Sequence, residues 1–149
     1  MKHHYGPQIK LLHHAIDQTI TTALANMDLT ATQGRIMGYV YRQPAPPCPR
    51  DIEEAFHLSH PTVSGLLSRL EKKGFVELLP DAIDRRCKRI HILPKGQACI
   101  ESMHQTIMNN ERQLVNGFSD HEQAQFYALL SRAITNMGVT PSYRKPKEE

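Results

Sequence analysis

The stretch SHPTVSGLLSRLEKKG, residues 59 to 74, limits the fold of this chain more than any other. Ser59 belongs to the residue types that cap a helix N-terminus through a side-chain oxygen, and Gly74 to those that end a helix in the left-handed conformation. Between them Val63, Leu66, Leu67 and Leu70 recur at the i, i+3, i+4, i+7 spacing of one helical face. Pro61 is compatible with such a helix, because N–H groups of the first turn have no intrahelical acceptor. The expected element is therefore a short helix with one apolar stripe, whose other faces carry His60, Thr62, Ser64, Gly65, Ser68 and Arg69. One side must pack on a core, and the rest presents small polar groups and a cation.

Its neighbours define the context. Upstream, Asp51 to Phe56 reads as a short helix with Ile52, Ala55 and Phe56 on its buried side, leaving through a turn at Leu58-Ser59. Before that, QPAPPCP (residues 43 to 49) holds four prolines in seven positions, which predicts a stiff, extended connector. Thr30 and Gln33 have capping-box spacing and open a helix with Ile36, Met37 and Val40 on one face. Ile9, Leu12, Ile16, Ala23, Leu24 and Met27 place a long amphipathic helix over residues 8 to 27. Downstream, FVELL (75 to 79) and KRIHIL (88 to 93) predict a two-stranded hairpin around a loop of eight residues that includes Pro80. A long helix follows from about Lys95, with Ile100, Met103, Ile107, Leu114 and Phe118 near heptad spacing. Ser119 and Glu122 form a second capping-box pair, opening a last helix that carries Phe126, Leu129, Leu130, Ala133, Ile134 and Met137 on one side. The closing PSYRKPKEE is expected to be disordered.

At 149 residues and 40% hydrophobic, the chain is about one domain with an ordinary core. Its net charge is only +3, but His60 to Lys95 carries eight Lys or Arg against four acids, a local +4 that leaves −1 for the rest. A positive excess gathered into about a quarter of the chain is the footprint of a surface that meets phosphates. The plainer alternative is a basic face without a partner. No run approaches the roughly 18 apolar residues of a membrane span, and MKHHYGPQIK lacks the apolar block of a secretory signal, so a cytoplasmic protein is expected. Three cysteines without CxxC spacing read as reduced thiols.

Short helix, turn, polar-faced helix and hairpin with a charged tip is the order of a winged helix-turn-helix. LSHPTVSGLLSRLEKKGFV followed by DAIDRRCKRIHILPKG resembles the MarR family of bacterial transcriptional regulators, whose pattern is a Ser/Thr-rich recognition helix ending in LE-x-x-G and then D-x-x-D-x-R. The likeness covers about residues 8 to 138. It implies a mainly α fold with a small β-hairpin wing, flanked by long N- and C-terminal helices that dimerise. Over 1–149 the implied layout is a single domain, with dimerisation helices at 8–28 and 95–138, a winged lobe at 29–94 and a tail at 139–149. It further implies that His60, Thr62, Ser64, Gly65, Ser68 and Arg69 belong to the helix lying in the major groove. Arg86 matches the wing arginine that enters the minor groove, Asp84 the acid that pairs with it, and Arg85 and Lys88 flank them. A two-fold homodimer of this kind binds double-stranded DNA carrying an inverted repeat, with half-site centres about one turn, roughly 10 bp, or a multiple of it apart. The connector's four prolines and Pro61 depart from common family patterns.

Physical chemistry reaches the same roles independently. An arginine delivered into a minor groove gains from the focused negative potential there, and an acid that holds it beforehand lowers its entropy loss. Gly65 removes a Cβ where the helix would crowd a base or sugar. The bland alternatives are an exposed ion pair stiffening a hairpin and a solvated polar face. Three sensing chemistries remain open. Cys87, between Arg86 and Lys88, is a redox candidate, since cationic neighbours favour the thiolate. Met27, Met37, Met103 and Met108 are candidates to line a cavity for a small-molecule effector, although methionines at helical spacing are more often plain core. His13, His14, Glu101 and His104 would have to converge to bind a metal, and no Cys/His cluster has ligand spacing, so neither metal nor cofactor is expected. No phosphate loop, nucleophile elbow or paired-carboxylate constellation points to an enzyme. The expected function is a homodimeric repressor released by a small molecule or stress signal, against the alternatives of a winged-helix protein-interaction module or a metal- or thiol-sensing variant.

Overall fold

The computed structural model describes residues 3–140. The segment PSYRKPKEE, expected to be disordered, lies outside the described residues. The elements in chain order are α1 (Tyr5–Asn26), α2 (Ala31–Arg42), α3 (Pro49–Phe56), α4 (His60–Lys72), β1 (Val76–Pro80), β2 (Lys88–Ile92), α5 (Pro94–Leu114) and α6 (Asp120–Asn136). The mainly α fold with a hairpin wing is the expected one.

Two units divide the chain, Met1–Asn110 and Glu111–Glu149. In the first, the core gathers Leu24, Leu29, Ile36, Met37 and Val40 with Ile52, Val63, Leu67 and Leu70, and with Phe75, Val76, Ile90 and Cys99. The predicted stripe of α4 thus sits in the core, with Val63 and Leu70 fully buried. Burying each such side chain stabilises the fold by about 1.5–3 kcal/mol. Local signals set the boundaries. Thr30 accepts from the Gln33 N–H at 3.2 Å while Gln33 Oε1 accepts from the Thr30 N–H at 3.0 Å, completing the capping box. Ser59 caps α4, and Gly74 leaves it at φ +79. Inside α5, a Cβ on Gly96 would stand 2.3 Å from the Phe75 carbonyl oxygen, so only glycine lets that helix approach the start of the wing.

Several boundaries differ from the sequence reading. α1 begins at Tyr5 rather than Gln8, because Pro7 falls in the first turn, where its missing N–H has no acceptor to lose. α3 begins at Pro49 rather than Asp51 for the same reason, and the Asp51 carboxylate accepts the Cys48 N–H at 2.8 Å. Ala55 is exposed, so Ile52 and the half-buried Phe56 alone form the inner side of α3. In α1 only Leu24 is buried, and the expected apolar residues Ile9 and Leu12 lie open.

The hairpin pairs Val76 with Ile92, Leu78 with Ile90 and Pro80 with Lys88 on one face, and Glu77 with His91 and Leu79 with Arg89 on the other. The proline-rich connector runs beside it. Pro47 O accepts from the Ile90 N–H at 2.9 Å, and Pro46 O from Arg89 Nη1 at 3.4 Å. Prolines offer acceptors but no donors, so the connector covers that edge of the wing without templating a further strand.

In the second unit the Ser119–Glu122 capping box opens α6. Phe118 and Phe126 pack edge-on, with ring centroids 5.8 Å apart. No α6 residue is buried, and Tyr127, Leu129, Leu130 and Met137 stand exposed.

Candidate nucleic-acid interface

Helices α3 and α4 meet through a turn in which His57 takes the left-handed conformation at φ 52. His60 Nδ1 lies 2.6 Å from Glu53 Oε1, tying the first turn of α4 to α3. The Thr62 hydroxyl is 2.8 Å from that of Ser59. With Val63, Leu67 and Leu70 turned into the core, His60, Thr62, Ser64, Ser68 and Arg69 are all exposed. Arg69 belongs to the last turn, where a cation also complements the helix dipole. Gly65 is half-buried, yet a Cβ built there would meet nothing within 4 Å. Packing within the chain therefore gives no reason for glycine at this position, unlike Gly96.

The wing tip is ordered by its two aspartates. Asp81 Oδ1 accepts the N–H groups of Ile83 at 2.8 Å and Asp84 at 3.0 Å, and the Asp81 N–H donates to Cys87 O at 2.8 Å, closing the loop. Asp84 Oδ1 accepts the Arg86 N–H at 3.0 Å, and Asp84 O the Cys87 N–H at 3.0 Å. These are the local turn bonds that Asp forms best. They revise the expected pairing: Asp84 braces Arg86 through its backbone, and the side-chain ion pair of the wing joins Asp81 Oδ2 to Arg89 Nε at 2.5 Å. The Asp84 and Ile83 amides and the Arg89 guanidinium hold the Asp81 pKa down to about 2, from an ordinary 3.8. With Asp81 occupied in this way, Arg85, Arg86 and Lys88 are exposed and make no ion pair among the described residues. Ile83 stands at the tip with 98% of its surface open.

Helix α4 and the wing enclose an open cleft of about 610 Å³. Of the sequence-predicted residues, His60, Ser64, Ser68, Arg86, Cys87 and Lys88 line it. Thr62, Gly65, Arg69, Asp84 and Arg85 lie outside that lining. The cleft also takes in Cys48, which the sequence reading passed over. Cys48 and Cys87 line it together, and burial, then the Cys48 side chain, pushes the Cys87 pKa up, with Arg89 pulling the other way. The direction is opposite to the one its sequence neighbours suggested, because cations adjacent in sequence count for less here than desolvation. Cys99, in the core, is also pushed up by burial.

The remaining candidates lie elsewhere. Met37 is in the core with 1% of its surface open, Met27 and Met103 pack partly buried against it, and Met108 is half-buried. His13, His14, Glu101 and His104 are exposed, and among the described residues no three His, Cys, Asp or Glu come together as a metal site. Among the described residues no helix is long and apolar enough to cross a membrane.

Known proteins share this fold. A profile of the MarR family matches residues 27–86. The HTH-type transcriptional regulator PecS of Dickeya dadantii is 29% identical over 119 residues, spanning 78% of this chain and 72% of PecS. MepR, a transcription regulator of the Staphylococcus aureus multidrug efflux pump MepA, superposes with a TM-score of 0.81 at 29% identity, covering 91% of this chain and 99% of MepR. MepR in complex with DNA superposes with a TM-score of 0.78 at 30% identity, over 89% of this chain and 99% of that one. Taken with the capped polar-faced helix, the aspartate-ordered wing and the connector along its edge, these matches make the chain a member of the MarR family of winged helix-turn-helix transcriptional regulators.

Proposed function

We propose that the protein is a cytoplasmic, homodimeric repressor that binds double-stranded DNA bearing an inverted repeat and has no catalytic role. In this reading α4 enters the major groove, with Ser64, Ser68 and Arg69 toward the bases and Gly65 where its backbone comes closest. Arg86 enters the minor groove, and Arg85 and Lys88 meet phosphates. The observation that carries it is the open cleft whose lining combines exposed hydroxyls of α4 with Arg86 and Lys88 of the wing, which make no ion pair among the described residues. Ile83 at the tip suits the same destination, since minor-groove binders present apolar side chains beside their arginines.

Homodimerisation has its own support. Leu11 on α1 and Tyr127 on α6 leave 71% and 72% of their surfaces open, alongside Ile9, Leu129 and Met137, and apolar faces of this kind seek a second copy. Release from DNA by a small molecule falls to Met27, Met103 and Met108, because Met37 is core rather than cavity wall.

The test is binding of purified protein to a pool of genomic fragments, followed by titration of the selected site at several salt concentrations. An enriched inverted repeat with half-sites about one turn, roughly 10 bp, or a multiple of it apart supports the reading. So does an affinity that falls steeply with salt, as phosphate contacts release counterions. Salt-independent binding, or no enriched repeat, would transfer the protein to the class of winged-helix modules that bind other proteins.

A further inference from the structure

We infer that Ile83, at the tip of the wing, is a wedge that enters the minor groove and slides between two base pairs, kinking the DNA at a flexible step. The inference rests on the DNA-binding reading above and adds to it a second way of choosing sequence, by deformability. A single exposed apolar side chain is ordinary on a protein surface. Three features set this one apart.

Ile83 leaves 98% of its surface open, more than any other exposed large apolar side chain among the described residues. It does not stand alone. Leu79 leaves 42% open, and Pro80 and Ala82 are exposed, so the limb of the wing that leads to the tip presents apolar groups. The limb that leaves the tip presents Arg85, Arg86 and Lys88, which make no ion pair among the described residues. Asp81, the acid within the apolar limb, is occupied by Arg89. The backbone at the tip is also pinned: Asp81 Oδ1 accepts the Ile83 N–H at 2.8 Å and the Asp84 N–H at 3.0 Å, and the Asp81 N–H closes the loop on Cys87 O at 2.8 Å. A β-branched side chain on a fixed backbone has few rotamers to lose. Insertion therefore costs little entropy, as a wedge requires and a solvated turn residue does not.

Groove chemistry decides where the isoleucine goes. The floor of a minor groove about 6 Å wide carries acceptors, which an aliphatic side chain can only strip of water. The faces of the base pairs are apolar, and a side chain between them leaves water while partly unstacking the step. Unstacking is least unfavourable at the pyrimidine–purine steps TA and CA/TG, which are the steps expected beneath the tip. Arg85, Arg86 and Lys88 offset its cost, because the bend brings more phosphates within their reach. In a homodimer each wing carries one wedge, so two kinks flank the paired half-sites.

The experiment uses the full chain and the selected repeat, with 2-aminopurine placed in turn at the adenines flanking each half-site and donor and acceptor dyes at the duplex ends. The expected result is a rise in aminopurine fluorescence at one pyrimidine–purine step on each side, and a bend of at least about 20° read from energy transfer. Ile83→Ser should abolish both signals and weaken binding about tenfold, the size of one unfavourable base pair. Its Tm should stay that of the unmodified protein, because the side chain has no packing to lose. Ile83→Leu, which keeps an aliphatic wedge, should retain the signals and the affinity. Binding by the unmodified protein without unstacking, or an Ile83→Ser protein that still unstacks the step, would overturn the wedge and leave the DNA reading intact. Failure of the unmodified protein to bind any duplex would refute the DNA reading, and the wedge with it.

Discussion

Replacing Gly65 with alanine separates what the fold needs from what a partner needs. Gly65 is an interior position of α4 with helical backbone, and a Cβ there meets no atom within 4 Å. Helix propensity alone then predicts that Gly65→Ala stabilises the protein by about 0.8–1.0 kcal/mol. For a chain of this length that is a rise in Tm of about 2–4 °C. If the helix backbone lies against DNA at this point, the same methyl overpacks that interface and weakens binding by about 1–3 kcal/mol. The two effects have opposite signs, which a generally damaging mutation cannot imitate. Calorimetry reads the first, and fluorescence anisotropy with the selected inverted repeat the second. Gly96→Ala is the matched control: its Cβ would lie 2.3 Å from the Phe75 carbonyl oxygen, so it should lower Tm instead. A Gly65→Ala protein that melts higher and binds DNA unchanged would refute close approach at this residue. One that melts lower would refute the claim that nothing within the chain requires the glycine.

Three further outcomes are expected. Arg86→Ala should weaken DNA binding by about 1–3 kcal/mol across many sequences and reduce the salt slope by about 1, as read from titrations at graded ionic strength; wild-type binding would remove the wing from the interface. Asp81→Asn should lower stability at neutral pH: the Asp81 pKa is depressed to about 2, so its contribution is present above the unfolded pKa of about 3.9 and is lost as pH falls through about 2. Urea titrations should find the gap between the two proteins constant above pH 5 and closing toward pH 2, whereas a gap that persists in acid would show that the carboxylate charge is not what orders the wing. Leu129→Glu, on the exposed face of α6, should halve the solution mass measured by sedimentation equilibrium; an unchanged mass would place the dimer contact elsewhere.

Helix termini and stripes were legible in the sequence because their causes are local. Thr30 with Gln33, Ser59 before Pro61, Ser119 with Glu122, and Gly74 after Lys73 each act within about one turn, and each forms as their spacing predicts. Boundaries shifted at Pro7 and Pro49, which lie inside α1 and α3 at first-turn positions that have no acceptor to lose, and at Pro80, which closes β1 rather than standing in the loop. Ala55 slipped for a different reason: in a helix of eight residues a small side chain carries too little apolar area to decide which way it faces.

The candidate site was legible by composition and not by pairing. An acid and an arginine two positions apart, Asp84 and Arg86, invite an ion pair, but in a tight turn the short Asp side chain reaches the nearby backbone N–H before it can reach a guanidinium. The arginine that does receive a carboxylate is Arg89, across the hairpin from Asp81, and another of its N–H groups donates to Pro46 O of the connector. Likewise, Cys48 lines the cleft beside the wing because that connector lies along β2. The contact with Pro46 depends on where a segment some forty residues earlier in the chain comes to rest. The four prolines that made the connector look like a mere spacer are what let it rest there, since Pro46 and Pro47 offer carbonyls to β2 and carry no N–H that a further strand could use. The consequence for function is that the wing is not an independent arm: its second strand is tied through Ile90 and Arg89 to the connector that leads into α3.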